Sequence, residues 1–196
     1  MKNMTTNELI AIVSKITSEN LEYVNKCVSK LSEKQLDWRP NVGYWSIREV
    51  LAHLNSYASY YHPTFLKKIE NTRFTSTKEA FVSSPLGRSA WKSMKLGNAK
   101  NIKRKFKAPK GHNPSLDTEL ITGNEIEEFV GHQNDLMTIF DKASNVNIRR
   151  VKIPISISKI VRLRLGDALL FVVYHNQRHV QQVFNLVNHP NFPPKK

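Results

Sequence analysis

The chain has 196 residues, with 30 Lys and Arg against 16 Asp and Glu, a formal net charge of +14 and a single cysteine. That length suffices for one sizeable core and demands no second domain, so residues 1–196 are read as a single domain. No apolar run approaches the roughly 20 residues that span a bilayer, and Asn3, Thr5, Thr6, Asn7 and Glu8 lack the apolar core of a signal peptide, so a cytoplasmic protein without a membrane partner is expected.

Thr6 opens the first helical pattern, about 6–31, in which Leu9, Ile12, Val13, Ile16, Leu21, Val24, Val28 and Leu31 recur at near-helical spacing. Cys27 lies within it and is expected to be a small buried apolar residue, since one cysteine forms neither an intramolecular disulfide nor a cysteine-rich metal site. Ser32-Glu33-Lys34-Gln35 has the form of a capping box and starts a short helical turn that Pro40 closes. A second box, Ser46 to Glu49, opens the second long helix, about 46–70, with a kink near Ser59 expected from Pro63. Val50, His53, Leu54, Tyr57, Tyr61 and Phe65 share one stripe of it, which turns His53 inward.

A connection of about 50 residues follows, far above the usual helix-to-helix range of roughly 2–8. Residues 74–120 are therefore read as a partly ordered basic excursion, in which Trp91, Met94 and Leu96 suit a short helix. Between Ala80 and Leu116 there is no acid, whereas Arg88, Lys92, Lys95, Lys100, Lys103, Arg104, Lys105, Lys107 and Lys110 are basic. Such a segment invites nucleic-acid contact. A solvated basic loop is the favoured reading, because aromatic residues such as Trp91 and Phe106 are too sparse there for a base-stacking platform.

A third box, Thr122 to Glu125, opens the third long helix, about 123–142, with Ile126, Phe129, Gln133, Leu136 and Phe140 inward and His132 at the boundary. Val151 to Ser158 alternates around Pro154 and reads as an extended connection or a lone edge strand, with no sheet; Arg149, Arg150, Lys152, Lys159, Arg162 and Arg164 form a second basic stretch. The fourth long helix, about 165–188, ends before Pro190 and turns Ala168, Val172, His175, His179, Gln182 and Leu186 inward. Together these elements specify an all-α, up-and-down four-helix bundle with a long basic insertion between its second and third helices.

Histidines four apart on a helix project from one face and can share an ion with ligands at roughly 2.0–2.1 Å. His175 and His179 have that spacing, and His53 on a neighbouring helix is the natural third donor, leaving coordination positions open. The competing reading is three histidines satisfied within the core or at its boundary, and the residues alone do not choose between the two. His62, His112 and His189 neighbour proline or loop residues and are expected at the surface. Tyr57 and Gln182, each one turn beyond a histidine, are candidates for the pocket wall and for a hydrogen bond to a ligand ring; core packing and a helix boundary are their plain alternatives. Glu49 reads as a helix cap rather than a general base.

Leu31-Ser32-Glu33-Lys34-Gln35-Leu36-Asp37-Trp38-Arg39-Pro40, then Trp45-Ser46-Ile47-Arg48-Glu49-Val50-Leu51-Ala52-His53-Leu54, and His175-Asn176-Gln177-Arg178-His179-Val180-Gln181-Gln182 resemble, in this order, the DinB superfamily and its YfiT-like branch. The resemblance implies a four-helix bundle whose divalent ion, nickel or zinc, is held by His53, His175 and His179, and a homodimer. It also implies a metal-dependent hydrolase, or a thiol S-transferase or isomerase using a low-molecular-weight thiol, in which the ion lowers the pKa of water or thiol against a small-molecule substrate. The alternative is a non-catalytic bundle that binds metal, an anionic ligand or nucleic acid. The long basic excursion after Asn71 and the overall charge depart from the family's usual pattern.

Overall fold

The computed structural model of the chain describes residues 4–97, 102 and 106–194; the basic positions Lys100, Lys103, Arg104 and Lys105 lie outside them. The first helix, α1 (Thr6–Tyr23), starts at Thr5, whose hydroxyl accepts the Glu8 N–H at 3.2 Å while the Glu8 carboxylate accepts the Thr5 N–H at 2.7 Å. It then widens into a π turn over Val24–Val28, closed by the Ser29 N–H on the Val24 carbonyl. Val24 and Val28 stay buried, and Cys27 is exposed rather than in the core as expected, because the wider turn keeps only the two valines against the neighbouring helices.

The short α2 (Glu33–Leu36) begins where Gln35 returns to the Ser32 N–H. The long α3 (Ile47–Glu70) begins at the expected Ser46–Glu49 box, both halves of which are made, and it continues past Pro63 unbroken. Only half of the third box forms. Glu125 Oε1 accepts from Thr122 and Gly123 N–H at 2.7 and 2.8 Å, but the Thr122 hydroxyl accepts from Asn124 instead, so α5 (Glu125–Ala143) starts without a side-chain cap on its own first turn. Gly123 sits at φ +85°, where a side chain is strained, and this lets the chain double back to meet Glu125.

The excursion between α3 and α5 is anchored to the rest of the chain. Phe81 pairs with Met4 through two backbone hydrogen bonds, and its ring lies where a Cβ on Gly166 would approach within 2.5 Å. The expected short helix is α4 (Pro85–Met94), which ends before Leu96; Ser84 caps it and donates from both N–H and Oγ to the buried Asp167. Trp91 is buried and stacks on Tyr174, so α4 packs along α6 (Leu165–Val187). Short 3₁₀ turns at Lys110–His112 and Thr118–Leu120 carry the chain back toward α3.

The stretch after α5 corrects the expectation of no sheet. Strands β1 (Lys152–Ile155) and β2 (Ser158–Arg164) pair antiparallel, Ile153 opposite Leu163 and Pro154 opposite Arg162, with an irregularity after Pro154. The basic residues of β2 hid a strand alternation: Leu163 points inward with Ile153, while Ile160 and Arg162 point out. A two-stranded ribbon leaves an edge that tolerates Pro154.

The protein is predominantly helical. α3 packs against α5 and α6, α1 against α5 and α6, and two apolar clusters fill the space, one around Tyr61, Phe65, Phe140 and Leu169, the other around Leu51, Phe129 and Val183. Burying each such side chain stabilises the fold by about 1.5–3 kcal/mol, so these clusters fix where α3 and α6 lie. No helix among the described residues is long and apolar enough to cross a membrane.

Candidate metal centre

Ser46 fixes the first residue of α3, and seven residues later His53 arrives on the helix face turned to α6, 2% exposed. On α6, His175 and His179 stand one turn apart on the face turned back to α3. The three rings converge: centroids are 4.6–5.0 Å apart, and His53 Nε2 lies 3.2 Å from His175 Nε2. One nitrogen from each of the three lies within 4.8 Å of the others, a grouping that could hold a metal ion.

The outer hydrogen bonds decide which nitrogens face inward. His53 Nδ1 meets the backbone carbonyl of His112, which only accepts, so His53 carries its proton on Nδ1 and presents a bare Nε2 lone pair to His175. His179 Nδ1 lies 3.0 Å from Gln182 Oε1 and is fixed in the same sense, freeing Nε2. His175 Nδ1 has no partner among the described residues. Burial pushes His53 down to about 4, against the opposing pull of the His112 carbonyl. Burial first, and then the neighbouring imidazoles and Arg178, push His175 and His179 well below the ordinary histidine range. At neutral pH all three are uncharged, the form in which an imidazole binds a cation. Three neutral nitrogens aimed at one point, one of them necessarily a lone pair, fit a divalent ion.

The end of the excursion forms a wall of this centre. His112 is half-buried, not at the surface as expected; its ring lies tilted against Tyr57 with centroids 4.1 Å apart, its Nδ1 is 3.0 Å from Ser56 Oγ, and its carbonyl holds His53. Ser115 accepts from Trp45 Nε1 at 2.9 Å and donates to Glu49 Oε1 at 3.2 Å, while the Trp45 ring lies 4.9 Å from His53. Glu49 caps α3 as expected and also accepts from Arg39. Tyr57 is buried between His53 and His175, with ring centroids at 5.0 and 4.4 Å, so it lines the centre as well as packing the core. Arg178, 6% exposed, places its guanidinium 5.3 Å from the Phe106 ring and contributes positive charge near His175 and His179.

Two other histidines differ from expectation. His62, expected at the surface beside Pro63, is 5% exposed, because α3 does not break at the proline and its stripe continues into the core. His189 is half-buried against the Trp38 ring. His132 sits at the boundary as expected, near Asp135 at 3.7 Å.

A family model described as the DinB superfamily matches residues 16–183, a span that contains all three converging histidines. The chain is 27% identical over 154 residues to an uncharacterized protein, YuaE, of Bacillus subtilis (strain 168), covering 78% of this chain and 83% of that protein. No solved structure matches the chain.

Proposed function

Because the chain belongs to the DinB superfamily, we propose that it is a metal-dependent enzyme whose divalent ion, nickel or zinc, is held by His53, His175 and His179. The observation that carries this reading is the 3.2 Å approach of His53 Nε2 to His175 Nε2 while the other nitrogen of His53 is committed to the His112 carbonyl. A lone pair fixed in that direction, in a buried pocket, is stabilised by a cation. When bound, such an ion supplies Lewis acidity that lowers the pKa of a water or of a low-molecular-weight thiol, the basis for hydrolase or S-transferase chemistry.

The chain's own residues prepare the centre for that work. The His112 carbonyl and Gln182 hold two rings in orientation. Tyr57, Trp45 and the returning excursion pack over the rings. The charge of Arg178 favours an anionic group, such as a thiolate or a carboxylate of a small-molecule substrate, over a cationic one. No serine or cysteine of the chain is needed as nucleophile. The same reading takes residues 1–196 as one domain, an up-and-down four-helix bundle of α1, α3, α5 and α6 with residues 74–120 inserted, acting as a cytoplasmic homodimer.

The test is the metal content of untagged protein and of His175→Ala. The variant is expected to carry one equivalent less of bound nickel or zinc than the wild type, and to lose any chelator-sensitive hydrolase or thiol-transfer activity. Unchanged metal content in the variant contradicts the assignment.

A further inference from the structure

We propose that His62, His132 and Asp135 form a second divalent-cation site, binding a zinc-like transition-metal ion between α3 and α5. The three side chains each bring one donor atom within 4.8 Å of the others. His62 on α3 is 5% exposed, and neither of its ring nitrogens has a hydrogen-bond partner among the described residues. A polar nitrogen shut away from water without a partner is destabilising, and His62 carries two. The His132 ring meets it edge-on at 5.3 Å, and His132 Nδ1 is 3.7 Å from Asp135 Oδ2, one turn along the same face of α5.

Donors bound to one ion at about 2.0–2.2 Å lie roughly 3.4 Å from one another, so closure asks for a movement of about 1 Å. His132 and Asp135 are able to make it, their side chains being 24% and 65% exposed, while His62 is held in the core as the fixed ligand. Burial first, and then His132, push His62 down to about 3, so it is the neutral ligand form throughout the neutral range. Two imidazoles and one carboxylate suit zinc, cobalt, nickel or iron(II), and not magnesium or calcium, which prefer all-oxygen shells. The exposed carboxylate leaves an entry path from solvent.

This site is separate from the three-histidine centre. His62 follows His53 by nine residues of α3, a rise of about 13 Å and two and a half turns, which puts it on the opposite face of the helix. That spacing is far beyond the roughly 3.5–4 Å of a two-metal catalytic centre. The ion would instead clamp α3 to α5, behind the helix face that carries His53.

Calorimetric titration of metal-free, untagged protein with zinc tests the site, using His132→Ala and Asp135→Asn, whose rim positions leave the metal-free fold intact by circular dichroism. His62→Phe, which keeps a slightly larger aromatic ring but offers no donor atom, is the check from the buried side. Wild-type protein is expected to take two equivalents. Each of the three variants is expected to lose one equivalent or bind it at least tenfold more weakly, while His175→Ala retains the equivalent that they lose. Unchanged zinc stoichiometry and affinity in His132→Ala and Asp135→Asn overturns the proposal. If instead His175→Ala binds zinc as the wild type does while His132→Ala loses an equivalent, this site stands and the three-histidine reading fails.

Discussion

Replacing Arg48 with Met tests how the entrance of α3 is held ahead of His53. The guanidinium divides its donors among three carboxylates: Nε to Asp37 at 2.6 Å, Nη1 to Glu125 at 2.8 Å, and Nη2 to Glu33. These pairs are unequal. The Glu33 and Asp37 side chains are 80% and 57% exposed, so each contributes about 0.2–1 kcal/mol, whereas Glu125 is 2% exposed and its loss of a partner leaves a buried charge. Breaking one partner of a buried pair costs about 3–5 kcal/mol. Glu125 keeps the Thr122 and Gly123 N–H groups on its other oxygen, which sets the expected cost of Arg48→Met near the lower end, about 3 kcal/mol. Glu33→Ala and Asp37→Ala should each cost less than about 1 kcal/mol. Urea unfolding of metal-free protein measures all three, with the slope checked for constancy. The double variant Arg48→Met with Glu125→Gln should recover part of the loss, since no uncompensated carboxylate is left. If Arg48→Met costs no more than Glu33→Ala, the argument from the buried carboxylate is wrong.

Gln182→Leu removes the acceptor that orients His179 and is expected to weaken metal binding about 10- to 100-fold, read by competition with a chelator; unchanged affinity would show that the His179–Gln182 contact is idle. A pH effect is expected at Tyr23, whose hydroxyl has no hydrogen-bond partner among the described residues and whose phenol is pushed up to about 12 by burial first and by Cys27 second. The folded chain holds this proton more tightly than the unfolded chain, whose tyrosine titrates near its ordinary value of about 10. The contribution is therefore complete below pH 10 and is lost as pH rises through the folded value. Tyr23→Phe should match or exceed wild-type stability at pH 8 and lose less on going to pH 11, measured by urea unfolding; an equal loss in both proteins refutes the assignment.

Much of the centre was legible because helices repeat. The Ser46–Glu49 pair located the start of α3 and hence the depth of His53, and a spacing of four placed His175 and His179 on one face. The same periodicity carried a signal that proximity to a proline obscured: Leu51, Asn55, Ala58, His62, Phe65 and Ile69 follow steps of four and three and are all buried, which marks His62 as a core position. The role of His112 had no such signal. It works through a backbone carbonyl from a loop, and no residue type or interval advertises where a carbonyl will point. The β1–β2 ribbon was missed because the positive charges of β2 fall among its strand residues and outweighed the inward position of Leu163. Thr122 matched the capping-box pattern, but Gly123 in the left-handed region redirected its hydroxyl to Asn124, a conformational choice that spacing does not encode.

The central claim is that His53, His175 and His179 together hold one divalent ion. X-ray absorption at the zinc edge, on untagged protein loaded with less than one equivalent, tests it most directly. Three imidazole nitrogens at about 2.0–2.1 Å, with fewer imidazoles about the ion in His53→Ala, is the expected result. A shell of oxygen or sulfur ligands, or an unchanged spectrum in His53→Ala, would contradict the claim.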